Sequence, residues 1–253
     1  MRLHILASGS AGNCALIQGA DGSVVIDAGI TIKRLQQKLG KIPDRGTVHG
    51  IILTHGHGDH AGHAGPFSRY FNCPIFISNA AFDSLGMDTV QRAVRVGIFV
   101  PNDSFLLGPF TVSTYPVPHS SGAVALGIAE NGKSIGWVSD CGGLTAGLSV
   151  LAAEVSVLAV EANYSLSVLR QCVEYDDRLK KRISGGNGHL SNEQAASLVA
   201  KGRESGKMHT AVLMHLSEHS NFPELALETA RLQAGDRIKI LIAGRDGAES
   251  VEV

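Results

Sequence analysis

The chain has 253 residues, of which 44% are hydrophobic, and a formal net charge of −1. This length and apolar content are enough for one large core, so we expect a single domain over residues 1–253. The near-zero net charge excludes a general attraction to polyanions, and any contact with nucleic acid must depend on a local basic patch. Eleven histidines are the unusual feature of the composition.

The cysteines are widely spaced and form no C-x-x-C pair, which argues against a disulfide framework. No apolar run approaches the ~18 residues of a transmembrane helix, and residues 1–14 do not resemble a signal peptide. We therefore expect a cytoplasmic protein that does not contact a membrane. The four cysteines are Cys14, Cys73, Cys141 and Cys172.

Strands dominate the first part of the chain, and two helices interrupt them. One helix is expected over residues 31–39, with Thr31 as its cap and Gly40 as its stop, and a short one near 61–71. Period-two alternation, apolar runs and turn residues predict the strands. These are residues 2–7, 14–19, 23–27, 48–54, 75–77, 94–99, 104–107, 110–115, 123–130 and 133–139.

Helices and strands alternate in the second half. This order, together with the strand-rich first half, predicts two mixed sheets packed together with helices outside them. The expected helices are residues 144–151, 165–170, 176–183, 192–204 and 223–233, and the expected strands are 155–160, 210–214, 238–242 and 248–253.

A histidine-rich loop, THGHGDHAGH, occupies residues 54–63 at the exit of the strand 48–54. The spacing H-x-H-x-D-H lets His55 and His57 hold one ion while Asp59 and His60 reach a second. Imidazole and carboxylate together suit zinc, and also manganese or iron. Glycines 56 and 58 remove side chains where the backbone must curl. The alternative is a surface loop that happens to be rich in histidine.

Four further polar residues each stand where an apolar strand stops: Asp27, His119, Asp140 and His215. Taken singly, each has an alternative as a satisfied buried histidine or a capping aspartate. Their common position at strand ends makes accident a poor explanation, and a two-metal site requires ligands from several strand ends.

The order of these residues resembles that of the metallo-β-lactamase fold superfamily along the whole chain. The resemblance implies a four-layer αβ/βα sandwich with two divalent metal ions at one edge, between the sheets. It places Asp140 as the bridge between the ions and Asp27 in hydrogen bonds that orient a ligand. His63 matches no family position. The implied ligands are His55, His57 and His119 for one ion, and Asp59, His60 and His215 for the other.

An aspartate at position 140, rather than a cysteine, indicates which bond the site cleaves. A carboxylate bridge brings two ions to roughly 3.5–4 Å, the spacing of phosphoesterase sites. In lactamases of the superfamily a cysteine usually stands near this point, and here Cys141 is one position along. Because side chains alternate along a strand, that cysteine should point elsewhere.

Three blocks, EANY (161–164), GHLSN (188–192) and HLSEHSN (215–221), resemble tRNase Z and, with LASGSAGNC (6–14), the YycJ (WalJ, VicX) group of the superfamily. The resemblance implies that Glu161 orients His189 and that His189 protonates the leaving oxygen. The alternative for His189 is a neighbour of a helix N-cap that bonds backbone.

Two segments are candidate phosphate contacts. The backbone of the loop 6–14 offers an anion nest, with Ser10 and Asn13, or else forms an ordinary tight hairpin. The basic stretch 178–182, with Lys180, Lys181 and Arg182, either neutralises phosphates or is a solvated helix face. Phosphate contacts would make binding depend strongly on salt concentration.

The sequence therefore predicts a binuclear metal-dependent phosphodiesterase, and the resemblance to the YycJ group implies a 5′ exonuclease for which DNA is favoured over RNA as substrate. A hydroxide bridging the two ions is the expected nucleophile, and Asp59, Glu161 and His189 are the expected catalytic residues. The alternative enzyme is a hydrolase of a small ester, thioester or lactone. A non-catalytic regulatory protein with a relic site is a third reading, and it predicts missing ligands.

Overall fold

The computed structural model describes residues 1–42 and 44–253. In these residues the chain forms two seven-stranded sheets with helices packed against them. No helix in the same residues is long and apolar enough to cross a membrane.

The first sheet has the spatial order β14-β1-β2-β3-β4-β5-β6. Its strands β1, β2 and β3 are antiparallel, whereas β3 to β6 are parallel. The strands are β1 (Arg2–Ala7), β2 (Cys14–Gln18), β3 (Ser23–Ile26), β4 (Val48–Ile52), β5 (Ile75–Ser78), β6 (Val96–Phe99) and β14 (Val251–Glu252).

The second sheet has the order β13-β12-β11-β10-β9-β8-β7. Strands β7 to β10 are antiparallel and β10 to β13 are parallel, so both sheets are mixed. The strands are β7 (Ser104–Leu107), β8 (Phe110–Pro116), β9 (Val124–Glu130), β10 (Lys133–Val138), β11 (Val157–Glu161), β12 (Thr210–Met214) and β13 (Lys239–Ile242).

Several helices begin at side-chain caps that can be read in the sequence. Thr31 accepts from the amide of Arg34, and Ser191 and Gln194 form a reciprocal capping box. The helices are α1 (Ile32–Leu39), α2 (Gly58–Ala61), α3 (Ala64–Phe71), α4 (Asn79–Ser84), α5 (Met87–Val90), α6 (Ala146–Glu154), α7 (Leu166–Gln171), α8 (Asp177–Ile183), α9 (Asn192–Glu204) and α10 (Pro223–Ala234).

Alternation along the strands builds three apolar layers. Ile17 of β2 and Trp137 of β10 belong to the core between the two sheets, whereas Leu16 belongs to the layer that includes Leu35 of α1 and Phe67 of α3. A third layer covers the outer face of the second sheet with α6, α9 and α10. The predicted αβ/βα sandwich of two mixed sheets is confirmed.

Several predicted boundaries were wrong. The helix expected near 61–71 is two helices, α2 and α3, and the strand expected over 248–253 is reduced to the pair in β14. Helices α4 and α5 were not predicted, because each is too short to show an apolar helical period. The helix expected over 144–151 begins at Ala146, since Thr145 caps it by accepting from the amide of Leu148.

The parallel strands explain where polar residues collect. Carboxyl ends of adjacent parallel strands lie on one edge of a sheet. Strands β3 and β4 end there in the first sheet, and β10, β11 and β12 end there in the second. Because the sheets pack face to face, the loops after these strands meet at one end of the sandwich.

Substitution of two leucines on the second sheet tests the assignment of the core between the sheets. Leu126 of β9 is fully buried in that core, and Leu106 of β7 is 75% exposed. We expect Leu126→Ala to lower the free energy of unfolding by about 2–5 kcal/mol and Leu106→Ala to change it by less than about 0.5 kcal/mol. Urea denaturation measures both, and equal losses would contradict this assignment of the core.

Candidate metal centre

The first group of possible ligands is built on the loop after β4. His55 Nε2 lies 2.9 Å from His57 Nδ1, which lies 3.2 Å from His119 Nε2. Asp140 Oδ2 lies 3.3 Å from His55 Nε2 and 3.7 Å from His119 Nε2. All four ligand atoms fall within 4.8 Å of one another, so the structure brings together His55, His57, His119 and Asp140.

These distances and donors fit a metal ion. Tetrahedral ligands at the usual zinc distances lie about 3.3 Å apart. His55 Nδ1 is paired with Thr54 Oγ1 at 3.1 Å, and His119 Nδ1 with the carbonyl of Gly188 at 2.9 Å. Because Nδ1 of each ring is the donor, both Nε2 atoms present lone pairs to His57. A cation held between these nitrogens would satisfy their lone pairs.

The second group comes from three loops. Asp59, His60, Asp140 and His215 place one ligand atom each within 4.8 Å of one another. His60 Nε2 is 3.0 Å from Asp140 Oδ2 and 3.7 Å from Asp59 Oδ2. His215 Nε2 is buried and has no hydrogen-bond partner in the described part of the chain, as expected of an atom aimed at an ion.

Asp27 holds this second group in place. Its carboxylate is fully buried, and Oδ2 lies 2.7 Å from His60 Nδ1. Oδ1 accepts from the amide of Thr54 at 2.9 Å, and the Thr54 hydroxyl lies 3.0 Å from both oxygens. The carboxylate thereby directs His60 Nε2 towards Asp140, an arrangement typical of the residues that support metal ligands.

Three of the residues at strand exits have left-handed backbone. Asp27, Asp140 and His215 have φ of 60°, 48° and 54°. This conformation costs a residue other than glycine about 1–3 kcal/mol and persists where the surroundings impose it. At these positions the chain turns so that the side chain points over the sheet edge, and the cost marks the edge as a functional site.

Glu161 and His189 form a third arrangement beside the two groups. Glu161 ends β11 and is fully buried, and its Oε2 lies 3.0 Å from His189 Nδ1. Its Oε1 accepts from the amides of Cys141 at 2.5 Å and Leu190 at 3.2 Å. Asp140, Glu161, His189 and His215 also lie within ligand distance of one another. The Glu161 carboxylate already accepts from the amides of Cys141 and Leu190 and engages His189 Nδ1. It is therefore better suited to position His189 than to bind a metal ion.

Gly29 and Gly188 allow loops to approach each other closely at the site. Neither is one of the two glycines, Gly56 and Gly58, to which the sequence analysis gave this role. A Cβ at Gly29 would overlap the carbonyl oxygen of Asp59, and one at Gly188 would overlap the carbonyl oxygen of Ile183. The explanation offered for Gly56 and Gly58 was wrong. A Cβ at Gly58 would meet nothing within 4 Å, and one at Gly56 would approach the Ser84 hydroxyl at 3.1 Å.

Burial and charge set the protonation of the histidines. Burial lowers the pKa of His55, His57 and His119, which favours the neutral form that binds metals. Burial also opposes protonation of His189, but the carboxylates of Glu161 and Asp140 outweigh it and raise the pKa of His189 to about 10. His189 is therefore protonated at neutral pH in the metal-free protein, as a proton donor must be.

Burial and neighbouring charge also compete at Asp140, whose side chain belongs to all three groups. Burial opposes ionisation of Asp140, but His215 and His60 outweigh it and hold the pKa of Asp140 well below its usual value. For His60, burial opposes protonation, yet Asp140 and Asp27 raise its pKa well above the usual value. Negative and positive charge are thus concentrated together at the sheet edge.

The predicted phosphate contacts lie in different surroundings. Ser10 is exposed, whereas Asn13 is buried and occupied: its Oδ1 accepts from the amide of Gly9 at 2.9 Å, and its Nδ2 lies 2.9 Å from His60 Nε2. Lys180 donates to the carbonyl of Arg170 at 3.1 Å, and the other basic side chains of α8, Arg178, Lys181 and Arg182, are exposed.

His63 and Cys141 stand apart from the ligand groups. His63 is the residue before α3, and the Cys141 thiol donates to the carbonyl of Gly143 at 2.9 Å. Burial raises the pKa of the Cys141 thiol to about 12. Within residues 1–42 and 44–253, neither side chain belongs to a group with metal-ligand spacing.

Some supporting residues were not predicted. Thr54 joins Asp27 to His55, and Asn163 donates to the carbonyl of His215 at 2.9 Å. Ser8 Oγ accepts from the amide of His215 at 2.7 Å. Each is close in sequence to a predicted ligand or motif, but its side-chain partner is set only by the folded loops.

Comparison with known proteins agrees with this geometry. Residues 7–132 match the family model described as the metallo-beta-lactamase superfamily. The exodeoxyribonuclease WalJ of Streptococcus pneumoniae is 27% identical over 232 residues, which cover 89% of this chain and 85% of WalJ. The exodeoxyribonuclease YycJ of Bacillus anthracis is 26% identical over 235 residues, which cover 89% of this chain and 87% of YycJ.

Solved structures show the same fold. The metallo-beta-lactamase fold protein YhfI of Bacillus subtilis superposes with a TM-score of 0.75 at 18% identity and covers 99% of both chains. Human tRNase Z, short form, superposes with a TM-score of 0.68 at 18% identity, covering 100% of this chain and 99% of that one.

An αβ/βα sandwich with clustered histidine and aspartate ligands at its edge defines a metal-dependent hydrolase. The chain carries a metallo-beta-lactamase superfamily domain, matched over residues 7–132, as the sequence resemblance predicted. Its clustered ligands support binding of divalent metal ions.

Replacing Asp27 tests its part in holding His60. Asp27→Asn substitutes a donor for one of two acceptor oxygens, so the amide cannot accept from both Thr54 and His60. We expect zinc affinity to fall by about 10- to 100-fold, measured by competition with a chromogenic chelator.

Asp44→Asn is the matched control, because Asp44 is exposed and has the same left-handed backbone, with φ of 46°. It should bind zinc like the wild type. An unchanged affinity in Asp27→Asn would show that the carboxylate does not support the ligands.

Proposed function

We propose that this chain is a binuclear metal-dependent phosphodiesterase that acts as a 5′ exonuclease on DNA. The observation that carries the proposal is the position of His189, whose Nδ1 lies 3.0 Å from the buried Glu161 carboxylate beside both ligand groups. Its ring centroid lies 5.4 Å from that of His119 and 5.5 Å from that of His215. A proton donor so placed suits a reaction whose leaving group is an alkoxide.

The proposed ligands are those of the two groups around Asp140. Ions held there would lower the pKa of a coordinated water and polarise a phosphoryl oxygen. In this assignment Asp140 contributes one oxygen to both groups, and Asp59 belongs to the second. Asp27 favours the tautomer of His60 that carries its proton on Nδ1, so that Nε2 can act as a ligand.

The proton-transfer step depends on residues of this chain alone. Glu161 engages His189 Nδ1, which leaves Nε2 to serve the substrate. Donation from this ring to the departing oxygen is general acid catalysis, which contributes about 10²- to 10⁴-fold. A thiolate or a stabilised enolate leaves without such help, so a strongly held acid favours a phosphodiester over a thioester.

DNA as substrate is supported by the relatives named WalJ and YycJ, both called exodeoxyribonucleases. Helix α8, which carries these basic residues, ends next to His189, since the amide of His189 donates to the carbonyl of Ile183 at the end of that helix. We place Lys181 and Arg182 near the backbone of a bound strand. Binding through such contacts weakens as salt concentration rises.

We also infer that residues 1–253 act as one catalytic domain in the cytoplasm. The core between the sheets contains residues from β1 to β14, which supports a single unit. The four cysteines are free and buried, as is usual in a reducing compartment.

The activity is tested with a panel of substrates and metals. The protein loaded with zinc or manganese should release mononucleotides from 3′-labelled DNA with a free 5′ end, and it should cleave bis-(p-nitrophenyl) phosphate. RNA of the same sequence should be cleaved more slowly. Removal of metal by a chelator should abolish every reaction, and added metal should restore them.

Other outcomes would decide against the proposal. Rapid cleavage of a thioester or lactone with no turnover of DNA or of bis-(p-nitrophenyl) phosphate would favour the small-ester hydrolase. Degradation that begins only at 3′ ends would contradict the assigned polarity.

His189→Ala tests the proton donor. We expect turnover of DNA to fall by about 10²- to 10⁴-fold while metal content, measured by mass spectrometry, stays at the wild-type value. Glu161→Gln should give a smaller loss in the same direction. Loss of metal from His189→Ala would show that His189 is a ligand rather than a donor.

A matched histidine provides the control. His209 is exposed at the opposite end of the second sheet, where it precedes β12. His209→Ala should leave both turnover and metal content unchanged, and equal losses in the two variants would indicate general damage to the fold.

A further inference from the structure

A cavity of about 580 Å³ opens beside the candidate metal centre. Loop 8–11, residues 216–223 and the segment 242–245 after β13 form three of its walls, and Tyr175 forms another. This volume falls in the range of about 300–1,000 Å³ that is typical of small-molecule sites. The cavity contains none of the proposed metal ligands, so the metal centre does not account for it.

Ser8 and Leu216 connect the cavity to the candidate metal centre. Ser8 lines the cavity and accepts from the amide of His215, and Leu216 lines it immediately after that histidine. Strand β12 ends at the metal centre and β13 ends at the cavity, and adjacent strands lie about 4.8 Å apart. The cavity therefore adjoins the strand end that carries His215.

Hydrogen bonds hold the cavity open in one shape. Asn221, a buried wall residue, donates to the carbonyl of Ala162 at 2.7 Å and exchanges two amide bonds with Asn192 at 2.8 and 2.9 Å. The amide of Ser217 bonds the carbonyl of Asn163 at 2.9 Å. These bonds fix residues 216–222 against the second sheet and α9, so the cavity exists before any ligand arrives.

Aromatic rings stand at the cavity wall. Phe222 lines the cavity, and 56% of its surface is exposed, a large fraction for a phenylalanine. Tyr175 meets His219 edge to face, with ring centroids 5.5 Å apart, and its hydroxyl lies 3.2 Å from that of Ser217. Exposed and firmly held rings beside a cavity are typical of sites that stack nucleobases.

The charge at the mouth is nearly balanced. Arg245 Nη1 lies 3.6 Å from Glu218 Oε1, and both side chains are 64% exposed. This pairing leaves little net attraction for a phosphate at the mouth. Recognition in the cavity must therefore depend on stacking and hydroxyl groups, which suits a neutral base better than an anion.

We infer that this cavity binds the nucleobase of the terminal nucleotide of a DNA strand, with the adjoining phosphodiester directed to the metal centre. The inference rests on the nuclease function proposed above. A cavity that takes one base beside the reacting centre gives a physical reason for removing one nucleotide at a time from an end.

Binding of single nucleotides tests the inference without a turnover assay. The zinc-loaded protein is titrated calorimetrically with dAMP and with 2-deoxyribose 5-phosphate, which carries the same phosphate and sugar without a base. We expect dAMP to bind about 10- to 100-fold more tightly, the range expected for stacking of one base. Phe222→Ala should reduce this preference to about threefold or less, and Phe222→Trp should restore it.

Leu232→Ala is the matched control, since Leu232 is 80% exposed on the same helix, α10, and does not line the cavity. It should keep the wild-type preference. As a second measurement, the wild-type protein should show a KM about 10-fold higher for an oligonucleotide whose terminal nucleotide is abasic.

The outcomes separate the two proposals. Equal affinity of the wild type for dAMP and 2-deoxyribose 5-phosphate, or a preference that survives Phe222→Ala, overturns the cavity as a base site even where DNA is cleaved. A preference that Phe222→Ala removes supports the base site. Failure to cleave any DNA overturns the nuclease function independently of the titrations.

Discussion

The buried carboxylate of Asp140 is the constraint on which the rest of the site depends. Its Oδ2 lies 3.0 Å from His60 and 3.3 Å from His55, and its Oδ1 lies 3.3 Å from His215 and 3.5 Å from His189. An ionised carboxylate removed from water costs several kcal/mol unless its surroundings compensate it. His215 and His60 supply most of that compensation in the metal-free protein, and this requirement helps to explain why histidines are concentrated at one sheet edge.

This compensation requires both halves of the chain. His55 and His60 come from the first sheet, whereas Asp140, His189 and His215 come from loops of the second. The site exists only when the apolar faces of the two sheets pack together, so the core around Trp137 and Ile17 also sets the distances between ligands. Because the candidate ligand atoms crowd together, bound ions would stabilise the folded protein.

Part of this arrangement could be predicted from the sequence for a physical reason. Asp27 and His215 each follow an apolar strand, and the alternation of β and α segments implies parallel strands whose ends share an edge. The roles of Thr54 and Asn163 could not be predicted, because they depend on which loop lies against which. The steric demand at Gly29 arises from contact with Asp59, thirty residues away, and leaves no local pattern.

The loop between β1 and β2 shows why the metal centre and the neighbouring cavity form one unit. Asn13 lies against His60, Ser8 holds the backbone of His215, and Ser10 faces the cavity. The short loop cannot move at one end without disturbing contacts at the other, since Asn13 also bonds the amide of Gly9. A group bound in the cavity would therefore be held at a fixed position relative to the candidate metal ligands, because these hydrogen bonds connect the loop to both.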